Sequence, residues 1–141
     1  MFVSYAHEDR KWCERLEAHL GWLVHSQQVC AFEDSQIGAG AEWPETIRQE
    51  LAAADIIILI VSADFMASRY CTTVELREAM TKQGAGSARI VPIIADHCDW
   101  AALPISTLQA LPQDERYDLK PLVDWPNPNV PIASIAASGG C

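Results

Sequence analysis

The chain has 141 residues, half of them hydrophobic and 21% charged, which suits one domain with an ordinary buried core. Its formal charge of −9 argues against a nucleic-acid surface, which needs a basic face. No apolar run approaches the roughly 18 residues of a membrane span, and the first residues lack the basic stretch and small-residue cleavage site of a signal peptide.

Residues 1–5 read as a short apolar strand. His7-Glu8-Asp9 then places acidic residues at a helix start, where the macrodipole favours them. Trp12, Leu16, Leu20 and Leu23 recur at helical spacing with charged residues between them, which predicts an amphipathic helix. Residues 28–32 form a second short strand. Residues 33–43 read as a loop, with turn residues at Asp34-Ser35, Gly38 and Gly40. Pro44 suits the first position of a helix that buries Ile47, Leu51 and Ala54. Residues 56–61 are apolar without alternation, the pattern of a central strand buried on both faces of a parallel sheet. A loop through Asp64 and Tyr70 leads to a helix over residues 72–83, ended by Gly84-Ala85-Gly86, and residues 89–95 form another strand. Short turns follow to Pro112, and residues 121–125 are expected as a fifth, weaker strand. The prolines and small residues from Pro126 onward read as a tail or linker.

Strand–helix alternation with short loops predicts a parallel, doubly wound α/β sheet. Right-handed crossovers then bring the strand C-termini to one edge. Ser4-Tyr5, Phe32-Glu33-Asp34, Ser62 and Ala95-Asp96 would line that edge, and Glu75 lies in the connection after the third strand. Glu75 has two readings. With Thr72 it completes a capping box, in which the carboxylate reaches back to the helix start. The same carboxylate also falls toward the rim where open α/β sheets bind ligands.

Taken in order, these residues resemble a TIR (Toll/interleukin-1 receptor) domain of bacterial type. The opening Phe2-Val3-Ser4-Tyr5-Ala6-His7-Glu8-Asp9 is similar to that family's first-strand box. Phe32-Glu33-Asp34, Ile37-Gly38-Ala39-Gly40 and Trp43 resemble its BB loop. Ser62, Phe65, Ser68, Tyr70-Cys71 and Glu75 resemble its third-strand and helix box. Val91-Pro92-Ile93-Ile94, Cys98-Asp99-Trp100, Leu108, Pro112 and Trp125 resemble landmarks of bacterial members. The resemblance implies a flavodoxin-like sheet of five parallel strands in the order 2-1-3-4-5, one domain over residues 1–126. Residues 127–141 would then lead toward a further domain of a longer protein.

The resemblance also implies an activity, cleavage of NAD+ at the nicotinamide–ribose bond to give nicotinamide and ADP-ribose or a cyclic isomer. NAD+ is the substrate there, and no cofactor is called for. The family's catalytic glutamate falls on Glu75. Tyr5 and Ala6 are expected to contact the nucleotide. Trp43 either stacks on a planar base or serves as a helix-start hydrophobe, and Asp34 either touches a ribose or forms the turn. Cys71 stands where some NAD+-cleaving relatives carry Trp, which leaves cyclisation open. The implied partners are NAD+, further copies of the same domain and a fused or associated sensor domain. The implied setting is a cytoplasmic effector of bacterial anti-phage immunity. The alternative is a non-enzymatic adaptor that self-associates through the 33–43 loop.

Other chemistry fits less well. Gly38-Ala39-Gly40 is followed by Trp43 where a dinucleotide fingerprint needs Gly or Ala, and it lies in a long loop. A phosphoacceptor receiver needs an acidic pair after the first strand and an Asp ending the third, where this chain has Tyr5-Ala6 and Ser62. The cysteines Cys13, Cys30, Cys71, Cys98 and Cys141 and the four histidines show no zinc spacing, so no metal site is expected.

Overall fold

Four short apolar runs become four parallel strands: β1 (Phe2–Tyr5), β2 (Cys30–Glu33), β3 (Ile56–Val61) and β4 (Arg89–Ile94). The computed structural model describes residues 1–21, 25–26, 29–33, 45–68, 80–82 and 84–139. Among these the strands lie in the order β2-β1-β3-β4. Val3 sits between Ala31 and Ile58, and Ile58 in turn faces Val91. This mixed α/β arrangement with an all-parallel sheet is consistent with a flavodoxin-like fold.

Alternation along each strand divides the core in two. Phe2, Phe32, Ile57, Leu59, Val61 and Ile90 point to one face, where they meet Leu51 of α2 (Glu45–Ala53) and Phe65. Val3, Tyr5, Ile58, Ile60 and Val91 point to the other. There they meet Trp12 and Leu16 of α1 (Arg10–His19), and Leu20 just beyond it. The unbroken apolar run of β3 is thus explained, because both of its faces are covered. Each such Leu or Ile side chain contributes about 1.5–3 kcal/mol on burial.

The end of α2 is closed from outside. Lys82, in a helical stretch at residues 80–82, donates to the carbonyls of Leu51, Ala52 and Ala54 at 3.0, 2.6 and 2.8 Å. A cation on the last carbonyls of a helix satisfies orphan acceptors and complements the dipole. Lys82→Met, which keeps the apolar stem and removes the ammonium, is expected to lower stability by about 1–2 kcal/mol. Urea unfolding of the two proteins measures it, and an unchanged midpoint would count against the cap.

Three expectations are corrected. The stretch after Ser62 is not a plain loop: Ala63–Ala67 forms a short helix, α3, with Ser62 as its N-cap. Residues 121–125 are not a strand, since Leu122–Asp124 forms a 3-10 turn with Leu122 buried. The edge of β4 is met instead by a single residue, Leu111, paired in parallel with Ile93. Leu111 accepts from the Ile94 N–H and donates to the Pro92 carbonyl. Pro112 follows at once and has no N–H for a longer ladder. Finally, the stretch from Pro126 is not a frayed tail. Asn129–Gly139 is a helix, α4, and its Ile132, Ile135 and Ala136 are buried in the α1-side core. Pro131 misled the composition reading, but proline is tolerated in the first turn of a helix. Among the described residues no helix is long and apolar enough to cross a membrane.

Candidate functional site

The strands are parallel, so their C-terminal ends share one edge. Tyr5, Glu33, Ser62 and Ala95 end or directly follow β1, β2, β3 and β4. Of the residues singled out from sequence, the structure places Tyr5 and Ala6 at this edge, and both are buried. Glu75, Asp34, Trp43 and Cys71 lie outside the described residues.

Register brings Tyr5 beside Glu33, 28 residues further along the chain. Glu33 is only 4% exposed, an unusual place for a carboxylate, and a shell of donors explains it. The Tyr5 hydroxyl donates to Glu33 Oε2 at 3.1 Å. Arg10 grips the carboxylate with both arms of its fork, Nε to Oε2 at 2.8 Å and Nη2 to Oε1 at 2.6 Å. His7 Nδ1 lies 3.1 Å from Oε1. Bidentate pairing of this kind is both stronger and more directional than a single hydrogen bond. It ties the last residue of β2 to the start of α1. Burial, with Cys13 and Glu33 nearby, pushes the Tyr5 hydroxyl far above its usual range, so it remains a protonated donor. Glu33 in turn raises the Arg10 pKa further, so the guanidinium stays charged.

A second buried contact lies between β1 and β3. The Ser62 hydroxyl donates to Asp9 Oδ2, and Ser62 Oγ accepts the Phe65 N–H at 3.1 Å. Asp9 is 6% exposed and Ser62 2%. Burial pushes the Asp9 carboxyl above its ordinary value of 3.8, helped by Asp64 and Glu8 and opposed by the Ser62 bond and Lys11. The sign follows from proton linkage. Near and above pH 3.8 the unfolded chain gives up this proton while the native fold retains it, so Asp9 lowers stability as pH rises to its native pKa. Asp9→Asn removes that dependence. Across a urea-unfolding series, the variant should therefore gain on wild type as pH climbs from about 3.8 and then run parallel to it. A constant difference at every pH would contradict the assignment.

Further along the edge, Ala95 donates its N–H to the Val61 carbonyl at 2.8 Å and accepts from Val123 at 3.1 Å. His97 Nε2 lies 2.9 Å from the Asp124 carboxylate, which raises the imidazole pKa at this exposed position. Cys13, Cys30 and Cys98 are free thiols, and burial pushes each of them up. None is thereby prepared as a thiolate nucleophile. Among the described residues no cluster of His, Cys, Asp and Glu could hold a metal ion.

Glu33 and Ser62 were expected at this edge from sequence, but the grip of Arg10 on Glu33 and the Asp9–Ser62 bond were not foreseen. Glu33 carried one usable signal, a carboxylate ending an apolar strand. The pairing of Asp9 with Ser62 carried none, because 53 residues separate them.

A TIR domain family model matches residues 1–122. The uncharacterized protein y4lF of Sinorhizobium fredii (strain NBRC 101917 / NGR234) is 38% identical over 127 residues. That alignment covers 90% of this chain but 38% of y4lF, so the chain spans well under half of that relative. No solved structure matches. With the family model covering most of its length over a parallel sheet of the expected kind, the chain belongs to the TIR domain family.

Proposed function

We propose that this TIR domain is an NAD+ glycohydrolase of bacterial type, with Glu75 as its catalytic carboxylate. The observation that carries the reading is family membership over residues 1–122, a span that includes Glu75, on which the sequence resemblance puts the catalytic glutamate. The chemistry needs no second carboxylate. Nicotinamide on NAD+ is a cationic leaving group and departs neutral, so no general acid is required. The developing ribosyl cation is stabilised by one ionised carboxylate beside the sugar. Water then adds at the anomeric carbon and loses a proton, giving nicotinamide, ADP-ribose and H+. Attack by the adenine ring instead would give a cyclic isomer.

The arrangement at the sheet edge supports this division of labour. Glu33 is held by Arg10 and Tyr5, and Asp9 by Ser62, so these two buried carboxylates at the edge are already engaged within the fold. The backbone at Tyr5 and Ala6 would face the nucleotide, with Trp43 stacking on a base and Asp34 and Cys71 completing the surroundings. Activity would depend on self-assembly, triggered by a fused or associated sensor domain in a cytoplasmic defence system. Neither nucleic acid nor membrane is a direct partner in this reading.

The test is NAD+ loss and product analysis with concentrated or artificially clustered protein, wild type against Glu75→Gln. Turnover in wild type and its collapse in the variant support the proposal. Equal turnover in both sinks the role given to Glu75, and no turnover in any assembled state favours the non-enzymatic adaptor.

A further inference from the structure

Among the described residues, the large hydrophobic side chains left exposed are Tyr117, Leu119, Val123 and Val130, all within one stretch of the chain. Single exposed hydrophobics are ordinary, whereas a concentration of them marks a surface that meets something. Tyr117 and Val130 line the same groove, of about 330 Å3, between the 111–117 segment and α4. Its α4 wall is formed by Val130 with Ser134 and by Pro131 with Ile135, each pair one helical turn apart. Tyr117 and Trp125 supply aromatic surface, and Asp114 is the one charged residue among those lining it.

The loop that carries Tyr117 is tied tightly below its tip. Asp114 Oδ1 accepts the N–H groups of Arg116 and Asp118 at 2.8 and 3.0 Å. The Asp114 N–H donates to the Asp118 carbonyl at 2.8 Å, and the Tyr117 N–H to the Asp114 carbonyl at 3.0 Å. Gln113 and Leu119 close the base as an antiparallel bridge. Tyr117 itself has φ 65°, a left-handed conformation that glycine adopts freely and a bulky residue only under strain. Its side chain is 81% exposed, so burial within the chain does not compensate for that strain. Trp125 is fixed as well: its indole N–H donates to the Lys120 carbonyl at 2.9 Å, and the Lys120 ammonium lies 4.9 Å from the ring centre. Two preset aromatic side chains beside a groove are the kind of anchor on which protein interfaces concentrate their binding energy.

Charge selects the occupant. A second hollow, of about 350 Å3, adjoins the groove, shares Asp114 and Trp125 with it, and is bordered by Glu115, Arg116, Asp118 and Lys120. None of the three acids forms an ion pair among the described residues, and Lys120 is already placed over Trp125. A second copy of the chain is a poor electrostatic match. The chain carries −9, and its 34–43 segment holds Asp34 and Glu42 without a Lys or Arg.

We propose that this groove docks a basic segment of a partner protein. An apolar side chain of the partner fills the groove against Tyr117 and Trp125, and an adjacent Arg or Lys pairs with Asp114 and its acidic neighbours. None of the strand-end residues Tyr5, Glu33 and Ser62 lines the groove, and the inference holds whether or not the domain turns over NAD+.

The experiment titrates the 15N-labelled 141-residue chain with three capped tetrapeptides, Leu-Leu-Arg-Arg, Leu-Leu-Glu-Glu and Gly-Gly-Arg-Arg, and follows its amide resonances. The first should shift Tyr117, Trp125 and Ser134 saturably, and the other two should bind at least about 10-fold more weakly. Asp114→Asn keeps an oxygen for the two N–H groups of the loop and removes the charge. It should weaken Leu-Leu-Arg-Arg about 2- to 5-fold, the worth of one exposed ion pair. Tyr117→Gly removes the ring and the strain together, so it should weaken the peptide about 10-fold while its urea midpoint stays or rises. Equal binding of the acidic peptide, or no saturable shift with Leu-Leu-Arg-Arg, overturns the proposal. So do unchanged affinities in both variants. The same resonances shifting with protein concentration alone would give the groove to a second copy and overturn it too.

Discussion

Exchanging Glu75 for Gln is expected to lower NAD+ turnover by at least about 100-fold in the assembled protein while leaving its unfolding midpoint nearly unchanged. The substitution suits the two readings of this residue. A capping box accepts Glu or Gln at its third position, because either side chain can reach back to the N–H at the helix start. Gln therefore preserves the structural role that Thr72 and Glu75 offer by sequence, and removes only the negative charge. If Glu75 is a cap alone, Glu75→Gln is silent in both assays. If the carboxylate stabilises a ribosyl cation, the loss falls on the chemical step, because the charge it opposes develops only as nicotinamide departs. A drop in kcat with KM held is the signature. Stability and turnover falling together would mean instead that the charge itself serves the fold.

How much of this was legible in the chain depends on the range of the interaction that decides each feature. β3 could be read directly, since six apolar residues without alternation admit little but a strand covered on both sides. The stripe of Trp12, Leu16 and Leu20 likewise marked α1 and its buried face. Short elements were harder. Ala63–Ala67 is a five-residue helix, too brief for periodicity, although Ser62 as cap and Asp64 in the first turn were available as signals. The 121–125 stretch carries Leu, Val and Trp between prolines, and local propensity suited a strand. The observed turn is set by tertiary bonds instead, with Val123 donating to Ala95 and Trp125 to Leu122.

The same division holds at the candidate site. Topology sufficed to bring Tyr5, Ala6, Glu33 and Ser62 to one edge, because parallel strands with right-handed crossovers leave few choices. What those side chains do there was not legible. Tyr5 meets Glu33 through strand register across the whole of α1, and Arg10 joins them only because the helix starts directly above. Asp9 was read as a residue serving the helix dipole, yet its carboxylate is turned toward Ser62. Contacts between distant segments follow from the packed structure and leave no periodic trace in the chain.

Ending the protein after residue 126 is expected to leave it largely unfolded at 25 °C. The family match stops at residue 122, and the composition beyond Pro126 suggests a dispensable linker, yet α4 lies within the core. Its Ile132, Ile135 and Ala136 fall on one face and pack with Trp12, Cys13 and Leu16 of α1. His19 Nε2 also lies 3.5 Å from Asn129 Oδ1, joining the end of α1 to the start of α4. Removing one buried isoleucine side chain costs about 2–5 kcal/mol once the cavity is included. Two of them, together with the surface of α1 left bare, approach the 5–15 kcal/mol that holds a typical domain together. Urea melts followed by circular dichroism should show no cooperative transition for residues 1–126 and a clear one for the 141-residue chain. Ile135→Ala provides the graded control, with a loss of about 2–4 kcal/mol at an unchanged m-value. A shortened chain that melts at the wild-type midpoint would return α4 to the status of a linker. Loss of the transition would place the functional boundary of this TIR domain beyond residue 136, and any sensor attached through that end would act on a helix that is part of the core.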